Sequence, residues 1–182
     1  MHGRIALAGV AVLLVTGCAE EAVQVAVPPA QPVSVDVPAA SAGGACRLLH
    51  FAVIEEHTGA RFDVAASSER GDTHTCVLRA EQALLPELAL TVTETSIDVA
   101  TFTADVQPSG ARKVGKLGQV AYQRTTSASG KHGPVAEVGW LAKEDRLAVL
   151  RWTLPKGEDR AAADELAGKL VALAKTVDTP AL

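Results

Sequence analysis

Four prolines between residues 19 and 44 divide the chain into parts that differ in their capacity to fold. They are Pro28, Pro29, Pro32 and Pro38, and the segment ends in a pair of glycines and holds no aromatic residue. A segment of this composition cannot bury enough apolar area to offset its chain entropy, which predicts an extended tether. Valines alternate with polar residues at residues 33–37, which would also suit a strand docked on the domain, but prolines flank this stretch on both sides. Residues 45–182 are left to form a single domain.

An apolar run of eleven residues, 5–15, precedes the tether and follows the positively charged Arg4. As a helix it would span about 16 Å, roughly half of a bilayer's hydrocarbon core. Its length therefore favours a secretory signal peptide over a transmembrane helix. We expect residues 1–17 to be removed on maturation.

The end of this signal indicates lipidation. The stretch Leu-Val-Thr-Gly-Cys at residues 14–18 resembles the bacterial lipobox, in which small residues precede an acylated cysteine. The thiol of Cys18 would take a diacylglycerol, and acyl chains of the palmitate type would anchor the mature protein to the membrane. The alternative is an ordinary signal peptide in which Cys18 has no such role. We expect a lipoprotein tethered through residues 18–44 to the extracytoplasmic face of the cytoplasmic membrane.

Two further cysteines, Cys46 and Cys76, lie in the domain. An even number of cysteines in an oxidising compartment favours one disulfide, which would close a loop of about 30 residues. Metal binding is the alternative, because His50, His57 and His74 lie nearby in the sequence. Neither cysteine has the paired Cys-x-x-Cys spacing that is typical of zinc sites, so we expect neither a metal nor another cofactor.

Hydropathy periodicity predicts an α+β domain. Strands are expected at residues 73–79, 88–95, 113–116, 120–126, 135–143 and 146–154, with helices at 48–58, 158–177 and, less regularly, 97–106. Residues 67–73 are polar and contain glycine, which favours a loop. The short connections predict a mainly antiparallel sheet of about five to six strands, covered by a short N-terminal helix and a long C-terminal helix.

Side chains that could support catalysis do not form a recognised motif. An enzyme would need a cleft gathering at least two of Glu55, Glu56, His57, Ser129 and His132. Ser129 and His132 lie on one predicted loop, whereas a nucleophile and its base usually come from separate, fixed elements. We therefore assign no catalytic residue. The net charge of −4 and the expected location exclude nucleic acid as a partner.

The aromatic residues offer two interpretations. Trp140 and Trp152 lie on the two arms of the predicted hairpin, and Tyr122 lies on the strand before it. These side chains would either pack in the core or form a surface for a ligand or partner.

Several of these features together resemble a known family. The stretch Ala-Cys-Arg-Leu-Leu at residues 45–49, the later Cys76, and Val-Gly-Lys-Leu-Gly-Gln-Val-Ala-Tyr at residues 114–122 accompany the lipobox and the spacer. The combination is similar to small actinobacterial lipoproteins with a Cys-x-Leu-Leu opening and a domain of unknown function. The resemblance implies an α/β sandwich akin to PsbP-like folds, one disulfide and no established catalytic residues.

The sequence thus favours a membrane-anchored, non-enzymatic binding or protein-interaction module of the cell envelope, whose partner is an unknown envelope protein or small ligand. The main alternative is a carrier or sensor of a small amphiphile, and an envelope-acting enzyme is a further one. An enclosed cavity between the sheet and the helices would distinguish a carrier from an interaction module.

Lipidation is tested by Cys18→Ser. The expressed full-length protein should enter the detergent phase of a phase-separating detergent, and the variant should stay in the aqueous phase because it lacks the acyl-accepting thiol. Ser34→Ala, in the tether, is the control and should partition like the unchanged protein. If the Cys18 variant still enters the detergent phase, lipidation at this residue is refuted.

Overall fold

The structure, a computed structural model, describes residues 38–143 and 145–182. The predicted signal peptide, Cys18 and all but the end of the predicted tether lie outside these residues. The described part is an α+β fold built on an antiparallel sheet, as the sequence predicts.

The sheet has seven strands, so the predicted five to six is wrong. The strands are β1 (Val64–Arg70), β2 (Thr73–Ala80), β3 (Ala83–Glu94), β4 (Arg112–Val114), β5 (Val120–Thr126), β6 (Val135–Leu141) and β7 (Arg146–Thr153). Their order across the sheet is β1-β2-β3-β7-β6-β5-β4. Two antiparallel runs, β1 to β3 and β4 to β7, therefore meet where β3 pairs with β7.

Strand β1 is not among the predicted strands, and its residues 67–70 fall in the predicted loop at residues 67–73. Six of its seven residues are exposed, so no apolar alternation marks it. It forms because the hairpin with β2 pairs it without interruption from Val64, opposite Arg79, to Arg70, opposite Thr73. Backbone pairing and not apolar burial thus defines this edge of the sheet.

The helices are α1 (Phe51–Thr58), α2 (Val99–Thr101) and α3 (Arg160–Ala174). Helix α3 lies across β5 and β6, and its apolar side faces the core through Leu166, Leu170 and Leu173. The predicted placement of the N-terminal helix needs correction, because α1 packs mainly against α3 and the 3₁₀ turn Gly44–Leu48 lies against β2 in its place. None of the helices in the described ranges combines the length and apolar character needed to cross a bilayer.

One face of the sheet carries the main core. Leu78, Leu90, Leu150 and Val138 lie on successive strands of this face and are fully buried. Alternation along each strand sends the intervening side chains to the other face. The folded body also includes residues ahead of the expected boundary at Ala45, since Ala39 is buried and the Ser67 hydroxyl donates a 2.5 Å hydrogen bond to the Ala42 carbonyl.

The predicted disulfide is present between Cys46 and Cys76. It joins the 3₁₀ turn Gly44–Leu48 to the centre of β2, and both cysteines are fully buried. The bridge therefore fixes the start of the helical layer to the sheet.

Replacing both cysteines, Cys46→Ala with Cys76→Ala, should lower the free energy of unfolding by about 3–4 kcal/mol, because the unfolded chain loses a loop closure spanning 30 residues. Denaturant unfolding of the Cys18→Ser protein, with Cys46 and Cys76 either present or replaced, measures this difference. The Cys18→Ser protein is the reference, and this change alone should leave the free energy of unfolding as it is in the unchanged protein. Equal midpoints with and without the bridge would contradict a stabilising role.

Candidate functional site

The second face of the sheet is covered over only part of its area. The segment of α2 and the following π-helical turn Phe102–Val106 packs on it through Phe102, which is fully buried against Tyr122 and Leu141. The Phe102 and Tyr122 ring centroids lie 5.9 Å apart. Asp98 begins α2 by accepting a hydrogen bond from the Thr101 backbone N–H, which lowers the pKa of the Asp98 carboxyl.

Beside this cover lies a groove of about 560 Å³. Its floor and walls come from β2, β3 and β7 and from the loop at residues 127–134. The lining side chains are Arg79, Leu84, Leu85, Glu87, Ala89, Thr91, Lys131, His132, Arg151 and Thr153. We take this groove as the candidate site and refer to it as the basic groove.

The pairing of β3 with β7 positions the floor. Ala89 lies opposite Arg151, and Glu87 lies opposite Thr153. All four alternate with the buried core residues of their strands, so their side chains stand on the second face. The floor therefore combines the short Ala89 and the hydroxyl-bearing Thr153 with the charged Glu87 and Arg151.

A bulge in β3 builds one wall of the groove. Leu78 of β2 pairs with Leu88, and Ala80 pairs with Ala83, so Arg79 alone lies opposite the four residues 84–87. The surplus residues on β3 push its backbone away from the regular ladder. Leu84 consequently stands 76% exposed at the rim of the groove.

The loop at residues 127–134 forms the opposite wall and is held by backbone hydrogen bonds within itself and at its C-terminal end. Ser129 and His132 exchange backbone hydrogen bonds of 3.2 Å in each direction. The Gly133 N–H donates to the Leu154 carbonyl at 3.0 Å, and the Leu154 N–H donates to the Pro134 carbonyl at the same distance. Lys131 and His132 are thereby fixed beside the end of β7.

The groove carries more positive than negative charge. Arg79 is neutralised by Glu87, to which its Nε donates at 2.8 Å and its Nη2 also donates. Within the described residues, neither Arg151 nor Lys131 has a carboxylate partner. Two permanent positive charges, with the imidazole of His132 beside them, are therefore available to an anionic group.

A separate hydrogen-bond network engages the carboxylate of Glu137, next to the groove. Glu137 is 6% exposed and lies opposite Arg151 across β6 and β7. Its Oε1 accepts from Arg124 Nε at 2.8 Å and from the Tyr122 hydroxyl at 3.0 Å. Burial and then the Glu137 charge raise the pKa of Tyr122, so this hydroxyl stays a neutral donor. Glu137 is thus satisfied without Arg151.

The three aromatic side chains considered as a ligand or partner surface are buried. Tyr122, Trp140 and Trp152 expose 3%, 2% and 2%. Their burial agrees with the core-packing interpretation, and none of them lines the basic groove. Trp152 packs edge-on against Phe62, with ring centroids 5.1 Å apart.

The residues considered for an enzyme are placed apart. Glu55, Glu56 and His57 belong to α1 in the helical layer, whereas Ser129 and His132 lie on the loop at the basic groove on the other face. Within residues 38–143 and 145–182, no three His, Cys, Asp or Glu side chains come close enough to hold a metal ion.

The sequence analysis misses Arg79, Leu84 and Arg151 as site residues. Arg151 interrupts the apolar run at residues 147–152 of β7 at an outward position, and the run Leu-Leu-Pro at residues 84–86 breaks the alternation of β3. Both signals are visible in the sequence, but only the pairing of β3 with β7 brings them together. Comparison with protein-family models, curated proteins and solved structures gives no match.

Gly133→Ala tests how the loop is positioned. A Cβ at Gly133 would overlap the Pro155 carbonyl oxygen and lie 2.7 Å from the Leu154 carbonyl oxygen, so the backbone must shift. We expect the free energy of unfolding to fall by about 1–3 kcal/mol and the amide resonances of Lys131 and His132 to move.

Gly115→Ala is the matched control, because a Cβ there meets nothing within 4 Å. Denaturant unfolding and amide NMR spectra measure both variants. An alanine at position 133 that leaves the stability and the loop resonances unchanged would contradict the described packing of this loop.

Proposed function

We propose that the protein is a lipid-anchored, non-enzymatic binding module of the cell envelope, and that it holds its ligand in the basic groove through an anionic group. The observation that carries this proposal is the pair Arg151 and Lys131, which lie without carboxylate partners, among the described residues, in a groove on a sheet face. A charge-assisted hydrogen bond from such cations is stronger than one between neutral groups.

The rest of the groove supports a binding role. Its floor is part of the sheet, and the loop that carries Lys131 is tied to β7 by backbone hydrogen bonds. Cations held on rigid elements lose little conformational entropy on binding. The Thr91 and Thr153 hydroxyls add further hydrogen-bonding groups around the same anion.

The expected anchor suits this function. Acylation at Cys18 and a tether through residues 18–44 would hold the domain near the outer surface of the membrane, where it would meet ligands or proteins of the envelope. The family resemblance agrees with a module of this kind. The lipid anchor expected from the sequence would thus place the basic groove at the membrane surface.

Arg151→Gln and Lys131→Gln test the anion site. Titration of the full-length Cys18→Ser protein with inorganic phosphate should move the amide resonances around Arg151 and His132, and each substitution should weaken binding by about threefold to fivefold, as expected for an exposed charge pair. Raising the ionic strength should weaken binding in the same direction.

Lys113→Gln is the matched control, since Lys113 is an exposed cation on β4 that does not line the groove. This change should leave phosphate binding as it was. Resonance changes scattered over the surface, or equal affinities for all three variants, would overturn the assignment of the site.

A further inference from the structure

We infer that the ligand of the basic groove is an anionic amphiphile whose apolar chain runs from Arg151 across the β2–β3 hairpin to Val64. This inference rests on the proposed function and adds the chemical class of the ligand. It depends on a second hollow that continues the basic groove.

The second hollow has a volume of about 350 Å³ and lies at the turn of the β2–β3 hairpin. Arg79 and Leu84 line both the hollow and the basic groove. The hollow extends from there past Ala83 to Val64, on the edge strand β1. The two depressions therefore adjoin at Arg79 and Leu84, and together they mark a path from β7 to the edge of the sheet.

The far part of the path exposes large apolar side chains to water. In the part of the chain that the structure describes, three large apolar side chains are strongly exposed: Leu84 at 76%, Val64 at 41% and Val99 at 41%. Two of the three line this path, and Val99 lies on α2. An exposed apolar surface in a depression is typical of a site that binds a ligand or partner.

The charges along the path give the ligand a direction. Lys131, His132 and Arg151 lie at the end over β7, Arg79 is held by Glu87 in the middle, and the carboxylate of Glu81 lies in the second hollow. An anionic head is attracted to the first end and repelled from the other. The apolar chain is left to cover Leu84 and Val64.

The dimensions suit a chain of medium length. Strands β7, β3, β2 and β1 are successive neighbours, so the path crosses three strand spacings, or roughly 14 Å. Val64 also lies two residues along β1 from Ala66, the position in line with Arg151, which brings the span to roughly 16 Å. An extended chain of about ten carbons, with its anionic head at the tip of the long Arg151 side chain, covers most of that distance. A small inorganic anion would use the cations alone and leave Leu84 in water.

Three probes test the contributions of the anionic head and of the apolar chain separately. Decanoate carries both, acetate carries only the anionic head, and decyltrimethylammonium carries the chain with a cationic head. Each is titrated, below its micelle concentration, into the full-length Cys18→Ser protein and followed by amide NMR. Decanoate should bind at least tenfold more tightly than either partial probe and should shift resonances from Arg151 to Val64.

Leu84→Ser tests the chain end. It should weaken decanoate binding about tenfold, because the chain loses its main apolar contact. Val99→Ser is the matched control, an exposed apolar residue away from the path, and should bind decanoate normally. Because Leu84 is largely exposed, its replacement should not disturb folding, which denaturant unfolding verifies.

The outcomes distinguish this inference from the proposed function. Equal affinities for decanoate and acetate, or decanoate binding that is insensitive to Leu84→Ser, would overturn the amphiphile while leaving the anion site intact. Decanoate and phosphate binding that are both insensitive to Arg151→Gln and Lys131→Gln would overturn the anion site as well. Tighter binding of decyltrimethylammonium than of decanoate would refute the direction assigned to the ligand.

Discussion

The antiparallel ladder between β3 and β7 is the interaction on which the rest of the structure depends. It pairs eight residues of each strand without a break, from Glu87 opposite Thr153 to Glu94 opposite Arg146, and it alone joins the two runs of strands in the described sheet. Its inward side chains, such as Leu90 and Leu150, hold the centre of the core. Its outward side chains form the floor of the basic groove. One register therefore determines both the packing and the site.

The two faces of the sheet also differ in what covers them. The core face receives α3, the disulfide-linked turn and both tryptophans, whereas the second face receives one short segment around Phe102. A chain with 3% aromatic residues has few large side chains to close a second layer. The uncovered area beside Phe102 is where the basic groove lies, so the groove follows from an incomplete layer over the second face of the sheet.

How much the sequence reveals depends on whether a feature is local. The extended segment expected at residues 120–126 coincides with β5, and in β3 the alternation of Leu88, Leu90 and Val92 marks the part of the strand that faces the core. The disulfide follows from counting cysteines in an oxidising compartment. Strand β1 escapes prediction because its side chains are exposed and only pairing defines it. The basic groove cannot be predicted in this way, because it requires residue 87 to lie opposite residue 153, and no local pattern specifies that register.

The arrangement around Glu137 explains why the groove can remain positive. A buried carboxylate directly opposite Arg151 would be expected to pair with it. Instead, Arg124 and the Tyr122 hydroxyl, both on β5, donate hydrogen bonds to Glu137. The raised pKa of Tyr122 keeps that hydroxyl protonated and donating, so Glu137 stays satisfied. Within residues 38–143 and 145–182, Arg151 therefore has no ion pair that an incoming anion would have to break.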